Sequence, residues 1–243
     1  MIVRASQSAL DEVRKRRSLL DKCDSFLFSE VAPYIGRRVI EVGCGYGNLV
    51  AHMLDRELVV ATDVDPTSID QTGRRFGHQP NVVPLLCDIA GDDVSCLQQY
   101  NCDTVICLNT LEHISEDEKA LMNMSSIVHV GGYVVIIVPA FQFLYGTMDA
   151  SIGHYRRYTR QGMKAKLQAV GLQVKRQYYV NVLGIAGWFV NGRILRKEVP
   201  PESQLRLFNL LYPITSRVEA VLPRVMGLSL VSISYRAGRV ADL

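Results

Sequence analysis

Five short runs of apolar and β-branched residues alternate with helical stretches from residue 38 onward, and this alternation constrains the fold more than any other feature. The runs lie at 38–42, 58–62, 82–86, 103–108 and 132–138, with helical stretches near 47–55, 67–76, 92–99 and 115–129. Strands that are apolar throughout are typical of a parallel sheet covered by helices on both faces. Ligands of such sheets bind beyond the carboxyl ends of the strands. The residues that directly follow each strand are therefore the candidates for a site.

The remaining segments predict how this sheet is completed. A long connection at 139–159 precedes a helix at 160–170 and a strand at 173–180, and an alternating segment at 228–236 suits an antiparallel strand. We therefore predict one domain over residues 1–243, with an α/β core formed by 36–180 and 228–238. Residues 1–35, with a helix from about Ser8 to Ala32, and residues 181–227 are predicted to form helical lids.

Composition excludes several classes of protein. The chain has 243 residues, 48% of them hydrophobic, and a net charge of +3, which gives no strong basic field for nucleic acid. Its six cysteines form no CxxC pair, which favours reduced thiols over disulfides or a zinc site. The first ten residues lack the apolar core of a signal peptide, and the longest apolar runs, 133–141 and 178–190, are too short to cross a bilayer. We expect a cytoplasmic protein.

A glycine-rich turn follows the first predicted strand. Gly43, Gly45 and Gly47 stand at alternate positions, where glycine lets the backbone turn tightly and approach a ligand, and we expect the helix that follows to offer free N–H groups. The dinucleotide fingerprint has glycines at the first, third and sixth positions, but the sixth position here is Asn48. The turn therefore fits a dinucleotide poorly.

Carboxylates follow the second and third strands. Asp63 is the first acidic residue after the second strand, about 20 residues beyond the turn, where a carboxylate accepts hydrogen bonds from ribose hydroxyls. Asp65 precedes Pro66, a pattern that predicts a helix cap. Asp88 follows the third strand and is predicted to accept from an adenine amine, with Ile89 packed on the ring.

Taken together, these positions carry a resemblance. Glu41-x-Gly43-x-Gly45-x-Gly47, Asp63, Asp88 and the segment Asn109–Ile114 (NTLEHI) resemble the motif set of class I S-adenosylmethionine-dependent methyltransferases, most closely the branch with an LEHI segment. The resemblance covers residues 36–140 and implies a Rossmann-like, seven-stranded sheet in the order 3-2-1-4-5-7-6.

The same resemblance implies S-adenosylmethionine as cofactor and S-adenosylhomocysteine as product; we expect no metal, because the sequence has no metal-binding pattern. The methionine end is assigned to the glycine turn and Glu41, the ribose to Asp63, and the adenine to Asp88 with Ile89, while the backbone near Asn109 flanks the sulfonium. The neighbouring positions complete the predicted cofactor contacts: Cys44, Val64 and Leu111.

The segment from Leu144 to Thr159, with the run GHYRRYT, resembles a bacterial subgroup of these enzymes that is mostly uncharacterised, some members being encoded near glycosyltransferases. His154 is predicted to act as general base, and Arg156 and Arg157 to hold an acceptor carboxylate or phosphate. In the alternative, Thr159 caps the next helix and the arginines brace that turn. His113, after the fourth strand, either acts as a base or packs against the following helix.

The lid predicted at 181–227 is rich in apolar residues. They form either the lining of an acceptor pocket or the lid's own core: Val182, Leu183, Ile185, Trp188, Phe189, Leu207, Phe208, Leu211 and Tyr212. Trp188, together with Tyr145, is predicted to contact the acceptor. Trp188 and Phe189 also stand close to Arg193, Arg196 and Lys197, as in helices that lie on a membrane surface, so peripheral contact with a lipid-like acceptor is a hypothesis.

Three functions remain open. The first is methylation of a small molecule, at oxygen rather than nitrogen or carbon, because the sequence has no metal-binding or nucleophilic-cysteine pattern. The modest charge and the apolar lid argue against an RNA or protein acceptor. The second is methylation of RNA or protein, against which stands the absence of the Asn/Asp-Pro-Pro-aromatic tetrapeptide that accompanies amino-nitrogen methylation. The third is a protein that binds the cofactor without turnover. We expect a monomer or a homodimer.

Overall fold

A single sheet of seven strands organises the chain. The structure is a computed structural model that describes residues 21–91, 93–207, 209–211 and 223–238. The strands are β1 Arg38–Val42, β2 Leu58–Asp63, β3 Val82–Leu86, β4 Cys102–Leu108, β5 Val128–Pro139, β6 Leu172–Val180 and β7 Ser229–Arg236. Their order is β3-β2-β1-β4-β5-β7-β6. Strands β1 to β5 pair in parallel, and β7 runs antiparallel to β5 and β6, which confirms the predicted topology.

α-Helices precede and connect the strands in the described part of the chain. They are α1 Asp21–Val31, α2 Pro66–Phe76, α3 Ser95–Gln98, α4 Asp117–Ile127, α5 Thr147–Ser151, α6 Arg160–Ala169 and α7 Val182–Phe189. Helix α7 continues into a π-helical turn at Val190–Ile194, and residues 202–207 and 209–211 are also helical. The part of the predicted first helix that precedes residue 21 lies outside the described residues.

The sheet separates two hydrophobic layers. Successive strand residues face opposite sides, so Ile40 and Val42 of β1 belong to one layer and Val39 to the other. Helices α3, α4 and α6 cover the first layer, and α1 and α2 cover the second. Because both faces of the central strands β1, β2 and β4 are buried, their sequences are largely apolar, as the sequence analysis expected, whereas the edge strand β6 carries exposed polar residues.

The prediction of a helix at 47–55 was wrong. Residues 45–49 form turns, and only Val50–His52 is helical, as a single 3₁₀ turn. The physical reason is Gly47, whose φ of +74° is left-handed and incompatible with a right-handed helix. The backbone donors predicted at a helix start therefore come from the turn itself.

Two predicted caps are confirmed. The Asp65 carboxylate accepts from the amides of Thr67 and Ser68 at the start of α2. The Thr159 hydroxyl accepts from the amide of Gly162 across 3.1 Å at the start of α6. The capping alternative for Thr159 is thus what the structure shows.

The lid differs from its prediction in the direction of its apolar side chains. Trp188 lines an internal cavity, but Leu183, Phe189, Leu207 and Leu211 are 39% to 52% exposed. Leu183, Leu207 and Leu211 are therefore largely open to solvent, which corrects their assignment to a pocket lining or a lid core, whereas Phe189 borders an open groove. Phe208 and Tyr212 lie outside the described residues. Among the described helices, none combines the length and the apolar character that crossing a bilayer requires.

Candidate functional site

The carboxyl ends of four strands meet at one edge of the sheet. The amide of Gly43, after β1, donates to the carbonyl of Thr62 in β2 across 2.8 Å. The amide of Cys87, after β3, donates to a carbonyl at the end of β2, and the amide of Asn109, after β4, donates to a carbonyl of β5. The segments that the sequence analysis selected are therefore fixed beside one another.

The three glycines of the turn have different roles. All are left-handed, with φ of +77°, +52° and +74° at Gly43, Gly45 and Gly47. A Cβ on Gly43 would approach Thr110 to 2.2 Å, and one on Gly47 would approach Phe76 to 2.7 Å, so both positions require glycine for packing. A Cβ on Gly45 would meet no described atom within 4 Å. Gly45 therefore leaves an open approach to the backbone, as a bound ligand would need.

Asp63 is fixed by the turn it faces. Its Oδ2 accepts from the amide of Gly45 at 2.9 Å, and its Oδ1 accepts from the amide of Asp65 at 2.9 Å. Each carboxylate oxygen has a further lone pair, and the side chain is only half-buried. Asp63 is thus oriented to accept two more hydrogen bonds, as a ribose diol would supply.

Asp88 and Ile89, the residues predicted to contact the adenine, differ in their exposure to solvent. Asp88 is exposed, and its Oδ1 accepts from the amide of Ala90 at 2.9 Å. Ile89 is only 3% exposed and packs in the hydrophobic layer with α3 and α4. The predicted contact of Ile89 with an adenine ring has almost no side-chain surface available, because the core already uses it.

The other residues predicted to contact the cofactor differ in how much of their side chains is accessible to a ligand. Glu41 is buried in the sheet, and Leu111 is fully buried in the core. Burial raises the pKa of the Cys44 thiol to about 12, with a smaller effect of Glu41, so that thiol stays protonated. Cys44 and Leu111 can offer only backbone atoms, whereas Val64 is 62% exposed beside Asp63. Asn109 is exposed, with a left-handed φ of +49°.

A buried polar cluster lies beside this edge, where β4 ends. Asp149, fully buried at the start of α5, accepts at Oδ1 from His154 Nδ1 at 2.9 Å and from Arg157 Nε at 2.8 Å. Its Oδ2 accepts from Trp188 Nε1 and from the amide of Gly146, both at 3.0 Å. Burial alone would raise the pKa of Asp149, but the His154 hydrogen bond and the Arg157 charge outweigh it and lower the pKa. Asp149 therefore joins the GHYRRYT segment to the lid.

Glu112 faces this cluster from the LEHI segment. The residue is 1% exposed, its Oε1 lies 3.7 Å from His154 Nε2, and its Oε2 has no hydrogen-bond partner among the described residues. Burial raises the pKa of Glu112 to about 7, although the charges of His154 and Arg157 act in the opposite direction. A carboxylate with an unsatisfied buried oxygen is uncommon and calls for an explanation.

The two predicted catalytic histidines lie together. The rings of His113 and His154 pack edge to face with centroids 4.6 Å apart. His113 keeps an exposed surface, while His154 is buried. Dense protein surroundings and, next, the His154 ring lower the pKa of His113, although hydrogen bonds with the backbone of Gly153 and Ile152 oppose this effect. His113 is therefore a neutral imidazole at physiological pH.

The two arginines predicted to hold an acceptor are engaged with the protein. Arg156 Nη1 lies 2.9 Å from Asp117 Oδ1, and its Nη2 donates to the carbonyl of Ser115 at 2.8 Å. The Arg157 side chain is 1% exposed, and its Nη1 donates to the carbonyl of Ala140 at 3.0 Å. Both arginines brace their segment, which is the alternative that the sequence analysis left open.

Tyr145 and Trp188 border two different hollows. An apolar cavity of about 150 Å³ lies among α1, α7 and the helical residues 202–207, with Trp188, Met148 and Gln204 in its wall. Tyr145 donates from its hydroxyl to the carbonyl of His154 at 2.7 Å and lines an open groove of about 630 Å³ with Phe189 and Arg193. The predicted acceptor contacts therefore lie on opposite sides of α7.

Sequence reasoning missed two residues of the cluster. Asp149 was not selected, although it lies five residues before His154 within the same segment. Glu112 was quoted only as part of the LEHI motif. Only the fold reveals that these carboxylates face one imidazole from segments that are more than 35 residues apart in the chain.

Comparison with known proteins agrees with this geometry. Residues 40–134 match a family profile described as a methyltransferase domain. A ubiquinone biosynthesis O-methyltransferase of Alkalilimnicola ehrlichii is 29% identical over 101 residues, or 41% of this chain and 40% of that protein. A tRNA N(3)-methylcytidine methyltransferase of Schizosaccharomyces pombe is 29% identical over 40% of this chain and 42% of its own length. The chain therefore matches about two fifths of the length of these relatives.

Solved structures share the fold. The complex between a Haloferax volcanii methyltransferase activator, Trm112, and a putative methyltransferase aligns with a TM-score of 0.61 at 14% identity, over 95% of this chain and 96% of that chain. The N-methyltransferase NodS from Bradyrhizobium japonicum, in complex with S-adenosylhomocysteine, aligns with a TM-score of 0.55 at 13% identity, over 88% and 85%. At these identities the likeness shows the architecture alone.

Proposed function

The chain carries a class I Rossmann-like methyltransferase domain, and we propose that it transfers the methyl group of S-adenosylmethionine to an oxygen of a small-molecule acceptor. The observation that carries this proposal is the arrangement of Gly45 and Asp63. The open face of Gly45 and the half-buried carboxylate of Asp63 border the same approach, and the carboxylate keeps lone pairs for a ribose diol.

The residues at this edge fit the cofactor in three respects. The left-handed glycine turn brings backbone close to a ligand without side-chain obstruction. Asp63 accepts from the ribose, Asp88 has an exposed carboxylate for the adenine amine, and Asn109 follows β4 beside the turn. When bound, S-adenosylmethionine supplies an activated methyl group, so the protein has mainly to orient the acceptor and exclude water.

The acceptor side supports a small molecule. Glu112 and His113 follow β4, whose carboxyl end lies at the edge where the methyl group is expected, and His154 packs against His113; we assign the acceptor oxygen to this place. The apolar cavity beside Trp188 and the groove beside Tyr145 both suit an extended acceptor with an apolar part. In this proposal, residues 181–227 and the N-terminal segment form the lid, and turnover takes place in the cytoplasm.

We further propose that the acceptor is lipid-like or lipid-linked. The turn after α7 exposes Val190, Ile194 and Leu195, which are 41%, 61% and 55% exposed. Exposed Arg193 stands within the same turn, and an apolar surface next to basic side chains is what a peripheral membrane contact requires.

Calorimetry and a turnover assay test the function. We expect purified protein to bind S-adenosylhomocysteine at one site per chain. With S-adenosylmethionine and a suitable acceptor, the protein should form S-adenosylhomocysteine and the methylated acceptor. Acceptor panels should contain phenolic metabolites, glycolipids and lipid-linked sugars, with transfer RNA as the comparison. Methylation of RNA alone would refute the small-molecule proposal. Binding of S-adenosylhomocysteine without turnover on any acceptor would favour a cofactor-binding protein. Absence of S-adenosylhomocysteine binding would refute the function altogether.

A further inference from the structure

We propose that Glu112, His113 and His154 form a binding site for a divalent transition-metal ion, with Zn²⁺ as the best-matched occupant. One carboxylate oxygen and one ring nitrogen from each histidine lie within 4.8 Å of one another. The two ligand atoms Glu112 Oε1 and His154 Nε2 are 3.7 Å apart, too far for a hydrogen bond. At Zn²⁺ bond lengths of about 2.1 Å, atoms at this separation subtend an angle of about 120°, compatible with tetrahedral coordination.

The orientation of the histidines supports metal binding. His154 donates from Nδ1 to Asp149, which is itself held by Arg157, Trp188 and the Gly146 amide, so that Nε2 is the nitrogen that faces Glu112. Histidines that bind metals almost always donate their other ring N–H to a carboxylate or a backbone carbonyl, which fixes the ring. The His113 ring packs edge to face against the His154 ring, with centroids 4.6 Å apart, which brings its nitrogens close to the same place.

The state of Glu112 is the independent observation. Its Oε2 is buried and has no hydrogen-bond partner in the described part of the chain, although Glu112 is 1% exposed. A buried carboxylate oxygen without a partner costs free energy, and a cation held by both carboxylate oxygens of Glu112 would remove that cost. Two imidazoles and one carboxylate are a ligand set of catalytic zinc sites, in which a fourth position stays open.

The place of the site gives it a role that rests on the proposed methyl transfer. Glu112 and His113 follow β4, in the segment that contacts the glycine turn through Thr110, and His154 reaches them from the segment after α5. A divalent cation there would bind the acceptor oxygen and lower the pKa of its hydroxyl, the task that the sequence analysis gave to His154 as a base. The substrate class that follows is an acceptor whose hydroxyl, or pair of adjacent hydroxyls, can bind a metal.

Cobalt spectroscopy tests the site without turnover. Chelator-treated full-length protein without a histidine tag is titrated with Co²⁺, whose d–d absorption reports coordination geometry, and then with Zn²⁺. We expect one Co²⁺ per chain with a tetrahedral spectrum, displaced by Zn²⁺. His113→Gln and Glu112→Gln should weaken Co²⁺ binding at least ten-fold, and Asp149→Asn roughly ten-fold through the orientation of His154.

His129→Gln is the matched control, because His129 is half-buried at the start of β5, on the opposite edge of the sheet, and its substitution should leave Co²⁺ binding unchanged. Because Glu112 is buried and its variant can misfold, the exposed His113 decides the result. Absence of stoichiometric Co²⁺ binding, or unchanged affinity in a folded His113→Gln protein, would overturn the proposal. Calorimetry with S-adenosylhomocysteine on the metal-free protein reports on the proposed function separately, so either proposal can fail alone.

Discussion

The backbone amide of Gly45 donates to Oδ2 of Asp63 across 2.9 Å, so the residue predicted to bind the ribose also fixes the turn that it faces. Replacing Asp63 by alanine removes this bond and two acceptors for the ribose. We expect Asp63→Ala to weaken S-adenosylhomocysteine binding by at least ten-fold, because each charge-assisted hydrogen bond contributes about 1.5–3 kcal/mol. Isothermal calorimetry measures the change, and Asp70→Ala, which removes an exposed carboxylate of α2, is the control. Equal affinities of the two variants would contradict the assignment.

Gly45 and Gly131 form a matched pair for the role of the open turn. Both are left-handed, with φ of +52° and +84°, and a Cβ on either would meet no described atom within 4 Å. Alanine at each position should therefore destabilise the fold by a similar amount, about 1 kcal/mol, through backbone strain. Only Gly45→Ala should reduce cofactor affinity, because only its Cβ would enter the predicted approach. Equal cofactor affinity of the two variants would place the ligand elsewhere.

Asp149 should contribute more to stability than any single bond it makes. Asp149→Ala leaves the Arg157 guanidinium buried without its carboxylate, a change that costs about 3–5 kcal/mol. Trp188→Phe removes one hydrogen bond to the same carboxylate and should cost about 1 kcal/mol. Denaturant unfolding measures both, with Asp149→Asn as the variant that keeps the side-chain shape. If Asp149→Ala and Trp188→Phe lowered the free energy of unfolding by similar amounts, the buried ion pair would not be the main contribution of Asp149 to stability.

The contrast between sheet and site explains what the sequence could predict. The strand positions follow from apolar runs such as Val39–Val42, whose burial on both faces leaves a clear local pattern, whereas the strand order came from the resemblance to class I methyltransferases. Asp63 was found for the same reason, since a carboxylate directly after a buried strand stands out. The helix at 47–55 was predicted wrongly because periodicity does not report that Gly47 is left-handed.

The acceptor side depends on contacts that no local pattern reports. His154 and Glu112 are 42 residues apart, and Asp149 meets Trp188 across 39 residues. Whether Arg157 faces a ligand or a buried carboxylate depends on where Asp149 lies. The sequence analysis expected no metal for the same reason, because Glu112 and His113 supply ligand atoms from one segment and His154 from another.

The free energy of unfolding should depend on pH through the ionisation of Asp117. Partial burial would raise its pKa, but hydrogen bonds from Lys166 and Tyr158 and the charge of Arg156 outweigh it, so the folded pKa is lowered. A lowered carboxyl pKa stabilises the fold above the unfolded value of about 3.9, and this contribution is lost as the pH falls through the folded pKa. We therefore expect the wild type to lose its stability advantage over Asp117→Asn as the pH falls below about 4.

Denaturant unfolding at a series of pH values measures this difference. Glu118→Gln is the control, because Glu118 is 74% exposed and pairs with the same Lys166. Its difference from the wild type should change much less over the acidic range, since a surface ion pair contributes little. A difference between wild type and Asp117→Asn that is independent of pH would show that Asp117 is not stabilised as a carboxylate.

The surface at the end of α7 predicts selective binding to anionic membranes. Ile194 and Leu195 expose apolar area beside Arg193, so both burial of apolar surface and attraction to negative headgroups contribute to membrane affinity. In sedimentation with vesicles, we expect binding to phosphatidylglycerol mixtures and little binding to pure phosphatidylcholine. Ile194→Ser should weaken binding at every salt concentration, whereas Arg193→Gln should weaken it mainly at low salt, because salt screens only the charge contribution.

Met122→Ser, at an exposed position of α4, is the matched control. Equal sedimentation of Ile194→Ser and Met122→Ser would exclude this surface, and absence of wild-type binding to anionic vesicles would exclude the membrane contact.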